Sequence, residues 1–289
     1  MILMGINFEV FLSLVIYPLS FVLWAPETGG LTPPLPQQIN LVNQPDFSLV
    51  TNDKGQMTSD KGQIAIRQFT VRLLGEQTAG SGVIVARYGH TYTVLTCAHV
   101  IAWHEGGGLQ VVTHDGNTHI ATRNPNFDLG NLDLAVVEFT SSEDYPTARI
   151  NANNQNLALQ QPVYVSGFPN SPPGGSKLEP GLASLMASYF LSSGDLLLVL
   201  DRPLERGYQI GLSNDVYIGM SGGPVLNSQG DLIAIIGRTK YAFGGVSAYR
   251  FADGTEPDPE LLSQMESASW AIPIFCHLSF VTCPLTNDQ

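Results

Sequence analysis

The chain has 289 residues, 44% of them apolar and only 13% charged, with a formal net charge of −12. That supplies a sizeable core for one large domain or two small ones. It excludes the basic footprint that phosphate binding needs, because no lysine or arginine cluster occurs anywhere, so nucleic acid is not an expected partner. The 29 glycines and 19 prolines suit many turns between short strands better than a helical protein.

Residues 1–25 stand apart. The run VFLSLVIYPLSFVLWA, Val10 to Ala25, carries no charge. It has the apolar core of an export signal and approaches the ~20 residues that span a bilayer. The segment is read as a signal peptide or membrane anchor, and cleavage against retention stays open. Either way the rest of the chain is expected to be exported, periplasmic or extracellular, with a membrane tether if the segment is kept. Residues 26–62 are rich in Pro, Gln, Asn and Asp, show neither strand nor helix periodicity, and read as a disordered linker.

From Gln63 the texture changes. The stretch QIAIRQFTVRLL alternates apolar and polar residues, the period of a half-buried strand. GSGVIVARYGHTYTVLTCAHV reads as a hairpin turning at RYGH. GLQVVTHDGNTHIATRN reads as another around Asp-Gly, and LDLAVVEF as a further strand. A second set follows: PVYVSGFP, GLASLMASYF, DLLLVL, YQIGLS, GGPVLNSQGDLIAIIGR and SWAIPIF. Only GTEPDPELLSQMESA has the start signal and spacing of a helix. The pattern predicts an all-β domain over residues 63–283. It comprises two six-stranded antiparallel barrels, about 63–150 and 155–275, one C-terminal helix, and a cleft between the barrels where a ligand would sit.

Ser221 lies in YIGMSGGPVL among Gly219, Gly222 and Gly223. A nucleophilic serine needs a base, and the base needs an orienting group. His99 ends an apolar strand, and a satisfied core histidine is its bland reading. Asp133 heads a very apolar strand, where a carboxylate is costly unless hydrogen-bonded; Asp128 is the turn-capping competitor. Three segments, TCAHV, LDLAVV and GMSGGPV, fall in the order His, Asp, Ser. Together they resemble the trypsin-like (chymotrypsin-fold) serine peptidases, in particular the bacterial branch that includes HtrA-type proteases. GSGVIV and WAIPI resemble the entry and closing strands of that branch, so the resemblance spans about Gln63 to Ile274.

The resemblance implies a Ser-His-Asp triad acting on protein or peptide substrates, without a cofactor. Ser221 would be the nucleophile, His99 the base and Asp133 its orienter, with the N–H groups of Gly219 and Ser221 as the oxyanion hole. It points to Asp215, Gly237 and Arg238 as the substrate pocket. A buried Asp215 would favour Lys or Arg before the scissile bond, unless Arg238 neutralised it. Fifteen residues follow Ile274, so the C-terminal PDZ domain of HtrA-type proteins is not expected.

Other readings fare worse. GMSGG also fits the nucleophile elbow of α/β-hydrolases, but GGPVLNSQG cannot open the helix that fold requires. A catalytically inactive binding module on the same fold is the alternative. His104, His114 and His119 lack the H-E-x-x-H spacing of a metal site. Cys276 and Cys283 are close enough in sequence to bridge, which leaves Cys97 as a lone thiol whose oxidation would disturb His99 only if it were accessible.

Many trypsin-like enzymes are activated by a clipped N-terminus that pairs with an aspartate just before the serine. Here that position is Met220. The uncut chain is therefore expected to be active; a precursor that stays inert until cleaved just before Ile64 would contradict this.

Overall fold

The computed structural model describes residues 60–75, 78–102, 108–124, 127, 129–150, 157–171, 188–240 and 245–274. The N-terminal apolar segment, nearly all of the linker, most of GLASLMASYF, and Asp128, His104, Cys276, His277 and Cys283 lie outside the described residues. Among the described residues, no helix is long and apolar enough to cross a membrane.

Twelve strands form two closed barrels. The first contains β1 (Thr70–Leu74), β2 (Ala79–Tyr88), β3 (Thr91–Thr96), β4 (Gln110–Val112), β5 (Thr118–Arg123) and β6 (Ala135–Thr140), joined in the order β1-β2-β3-β6-β5-β4. The second contains β7 (Pro162–Gly167), β8 (Phe190–Val199), β9 (Ile210–Leu212), β10 (Pro224–Leu226), β11 (Leu232–Arg238) and β12 (Ser269–Pro273). Its order, β7-β8-β9-β12-β11-β10, repeats the winding of the first. All pairings within the barrels are antiparallel. The all-β fold of two six-stranded antiparallel barrels is thus the one the alternating strands and turn residues predict.

The turn chemistry is where the sequence puts it. Gly89 and Gly116 take left-handed φ values of 59° and 87° in the β2–β3 and β4–β5 hairpins, conformations that cost glycine little. The C-terminal helix, α3 (Pro259–Glu266), starts at Asp258, whose Oδ1 accepts from the N–H of Leu261 at 2.9 Å. Proline at its first position loses no helical hydrogen bond.

One element differs. QIAIRQF belongs to a helix, α1 (Asp60–Phe69), and the strand begins only at Thr70. Ile64 and Ile66 suggest a strand by alternation, but Ile64 is 57% exposed while Ile66 and Phe69 are fully buried. Ile66 and Phe69 are three apart, neighbours on one helical face. A short apolar run fits both periods, and the packing of Phe69 decides for the helix.

Trp270 of β12 is among the largest fully buried side chains. It meets Tyr249 edge-on at 6.4 Å, and its Nε1–H donates to Met265 O in α3 at 3.0 Å. It therefore ties α3 to the second barrel. Trp270→Ala should cost about 3–5 kcal/mol of unfolding free energy, measured by denaturant titration; a loss below about 1 kcal/mol would mean that α3 docks without it.

Candidate active site

β3 and β6 pair so that Thr96 faces Ala135. His99 lies just past the end of one strand and Asp133 just before the start of the other, so this register brings them side by side. A short helical turn, α2 (Ala98–Ile101), carries His99. The Ala98 N–H donates to Asp133 O at 3.1 Å, and the His99 N–H donates to Asp133 Oδ1 at 2.9 Å. The ring Nδ1 of His99 stands 2.7 Å from Asp133 Oδ2. A carboxylate only accepts, so Nδ1 is a protonated nitrogen, and in the neutral ring Nε2 is the one with the free lone pair.

Asp133 is 1% exposed. Two more donors reach it from the second barrel: the Tyr208 hydroxyl at 2.5 Å from Oδ2 and Arg206 Nη2 at 2.6 Å from Oδ1. Burial works to raise its carboxyl. The hydrogen bond and charge of His99, then the Tyr208 hydroxyl, outweigh that and hold it below the ordinary carboxylate value. The Tyr208 phenol is pushed up, by burial first and then by the negative charges beside it, so it remains a donor.

Ser221 sits in the loop between β9 and β10. Its neighbours are pressed against both barrels. A Cβ on Gly222 would lie 2.0 Å from Ser81 O, 2.3 Å from Thr96 Oγ1 and 3.1 Å from Cys97 N, and one on Gly223 would lie 2.0 Å from Ser166 O. Only glycine permits that approach, and it sets Ser221 beside the segment that bears His99. The Ser81 N–H donates to Ser221 O at 2.8 Å. The Ser221 hydroxyl donates to Gly237 O at 3.3 Å, its hydrogen-bond partner among the described residues.

The residues matched by the profile of the trypsin-like peptidase domain, 80–235, include His99, Asp133 and Ser221. The chain belongs to the trypsin-like peptidase family. The serine protease HtrA-like proteins of Staphylococcus aureus strains bovine RF122 / ET3-1, MRSA252 and USA300 are each 28% identical to it over 192 residues. The matched part is 66% of this chain but only 24% of theirs. The chain therefore spans about a quarter of the length of these curated relatives.

Within this trypsin-like frame, the pocket residues lie differently from expectation. Asp215 is no buried carboxylate: its side chain is 68% exposed and pairs with Lys240 Nζ at 2.8 Å. Arg238 does not neutralise it. Its guanidinium lies 4.0 Å over the Tyr208 ring and donates to Ala248 O at 2.5 Å. Lys240, further along the same segment, reaches Asp215 instead. Gly237 backs Ser221 directly, and a Cβ there would meet the Tyr208 hydroxyl at 2.3 Å and Cys97 Sγ at 3.0 Å.

The thiol of Cys97 is fully buried and donates to Ile236 O at 3.3 Å. Burial first, then the charge of Asp133, pushes it up. A protonated, enclosed thiol is neither a ready target for oxidants nor a thiolate ligand, although its sulfur lies within 4.8 Å of donor atoms of His99 and Asp133. His119 faces the Tyr145 hydroxyl at 3.2 Å, and His114 stacks edge-on to the same ring at 5.9 Å; both belong to an aromatic cluster.

Tyr208 and Arg206 have no distinguishing mark in the sequence. The only local signal is the Arg-Gly pair, whose left-handed backbone, φ 67° and 88°, turns both side chains toward Asp133. A carboxyl held low stabilises the fold fully above its unfolded pKa, ~3.9. That contribution is lost as pH falls through the lower folded value. Tyr208→Phe removes one group that lowers it and should move acid unfolding to higher pH, besides costing about 1.5–3 kcal/mol near neutrality. An acid-unfolding midpoint unchanged by circular dichroism would show that the phenol is not needed by Asp133.

Proposed function

We propose that this trypsin-like peptidase is a serine endopeptidase that cleaves peptide bonds through Ser221, His99 and Asp133. The observation that carries the reading is the doubly bonded His99–Asp133 pair, with Nδ1 as donor and Nε2 left to act as base, next to a serine on a glycine-framed loop. Ser221 Oγ adds to the substrate carbonyl while His99 Nε2 takes its proton. The C–N bond then breaks, and the amine leaves with that proton. Water reacts with the acyl-enzyme by the same route, returning the proton to Ser221. The Ser221 hydroxyl, bonded to Gly237 O in this structure, must release that bond to give its proton to His99.

The hole for the developing oxyanion is assigned to the N–H groups of Gly219 and Ser221. Neither is bonded to an acceptor among the described residues, and each such donor is worth about 2.7–4 kcal/mol in the transition state. Protein or peptide substrates follow from this chemistry. Export is proposed on the uncharged run Val10 to Ala25.

The test is a fluorophosphonate probe on the full-length protein, in which Oγ displaces fluoride from phosphorus. Mass spectrometry should place the adduct on Ser221, and Ser221→Ala and His99→Ala should each abolish it. A folded wild type that takes no label would favour an inactive binding module on the same fold.

A further inference from the structure

Met220, not an acidic residue, precedes Ser221, so that position offers the Gly219–Ser221 loop no carboxylate for an ion pair. The hydrogen bonds around the loop hold it instead. We propose that Ser81 and Asn170, the latter anchored by the buried Arg72, are the positioning residues of the oxyanion hole. This rests on the reading of Ser221 as nucleophile.

A peptide unit is planar, with its C=O and N–H pointing opposite ways. Fixing a carbonyl therefore aims the N–H on its far side. The Ile218 carbonyl accepts from the Asn170 N–H at 2.8 Å, which sends the Gly219 N–H the other way. The Met220 carbonyl accepts from the Gly223 N–H at 3.0 Å, which does the same for the Ser221 N–H.

Between them, the Gly219 carbonyl accepts from Ser81 Oγ at 2.8 Å; the N–H of that peptide, Met220's, goes to Tyr217 O at 2.9 Å, so this contact fixes the peptide that links the two donors. The hydroxyl has one proton, and its direction is forced, because Ser81 Oγ itself accepts from the Phe168 N–H at 2.9 Å. Its carbonyl is pinned in turn by Thr96 Oγ1 at 2.7 Å, and its N–H holds Ser221 O. One residue of β2 thus grips the loop on both sides of Met220.

Asn170 is held from the first barrel. Arg72 of β1 is 1% exposed and spends its guanidinium on the 168–170 segment. It donates to Asn170 Oδ1 at 3.1 Å, to Ser188 Oγ at 3.0 Å, and over longer distances to the carbonyls of Phe168 and Pro169. A buried cation held by neutral acceptors is costly to keep, and three of these four acceptors, Asn170 Oδ1 and the carbonyls of Phe168 and Pro169, lie in the stretch that fixes Ile218. Gly219 closes the arrangement: its φ is 103°, and a Cβ there would stand 2.6 Å from Asn170 N, Asn170 Oδ1 and Phe168 O.

A group that aims the hole changes the chemical step and leaves ground-state binding alone. The experiment is stopped-flow acylation of full-length protein by 4-nitrophenyl acetate, with fluorophosphonate labelling alongside. Ser81→Ala should lower the acylation rate constant at least about tenfold while the Michaelis constant stays within about twofold. Asn170→Ala keeps its backbone N–H and loses only the link to Arg72, and should lower the rate about threefold. Asn170 is exposed, so that variant decides the matter if Ser81→Ala does not fold. Unchanged acylation in a folded variant, or equal losses in rate and binding, overturns the positioning role while the serine reading stands. A wild type that neither acylates nor takes the fluorophosphonate overturns both.

Discussion

A carboxylate with almost no exposure cannot stay ionised unless donors surround it, and Asp133 is such a group. Its donors come from both halves of the chain: His99 from the first barrel, Arg206 and Tyr208 from the second. The barrels are thus joined through one buried charge that takes donors from both. The contacts that fix the tautomer of His99 are the ones that keep the charge tolerable. Gly237 fits the same picture: it has no side chain to offer Asp133, and the Tyr208 hydroxyl occupies the space a Cβ would need.

A second set of contacts joins the halves behind Ser221. Ser81 and Arg72, on adjacent strands of the first barrel, reach into loops of the second. The site therefore has two seams. One runs through the buried Asp133 carboxylate that orients the His99 ring, and the other through the buried Arg72 and Ser81, which hold the loop segments opposite.

Much of this was legible in the sequence, for local reasons. Alternating strands, Asp-Gly and Gly-His turns, the Asp258 cap and the three motif segments are all decided by near neighbours in the chain. What escaped depends on distant ones. Arg72, in TVRLL, reads as an outward strand residue; its acceptors lie about a hundred residues further along. Asp215 reads as a pocket floor until Lys240 is seen to reach it. Tyr208 is one tyrosine among ten, and only the fold brings it to Asp133. The helix α1 reads as a strand for a different reason: its few apolar residues satisfy two periods at once.

The glycines of the site also set where the protein can change. At Gly219, Gly222, Gly223 and Gly237 a single methyl group would meet backbone or fixed side-chain atoms within 3.0 Å. Drift or redesign is closed at those positions, whatever residue is tried. The neighbouring side chains are not so confined: Ile218 is 71% exposed, and Asp215 and Lys240 hold each other at the surface. Tolerance to substitution around Ser221 is thereby steered to exposed side chains set on a backbone that accepts no added atom, and a library confined to those side chains can be broad without crowding the glycines.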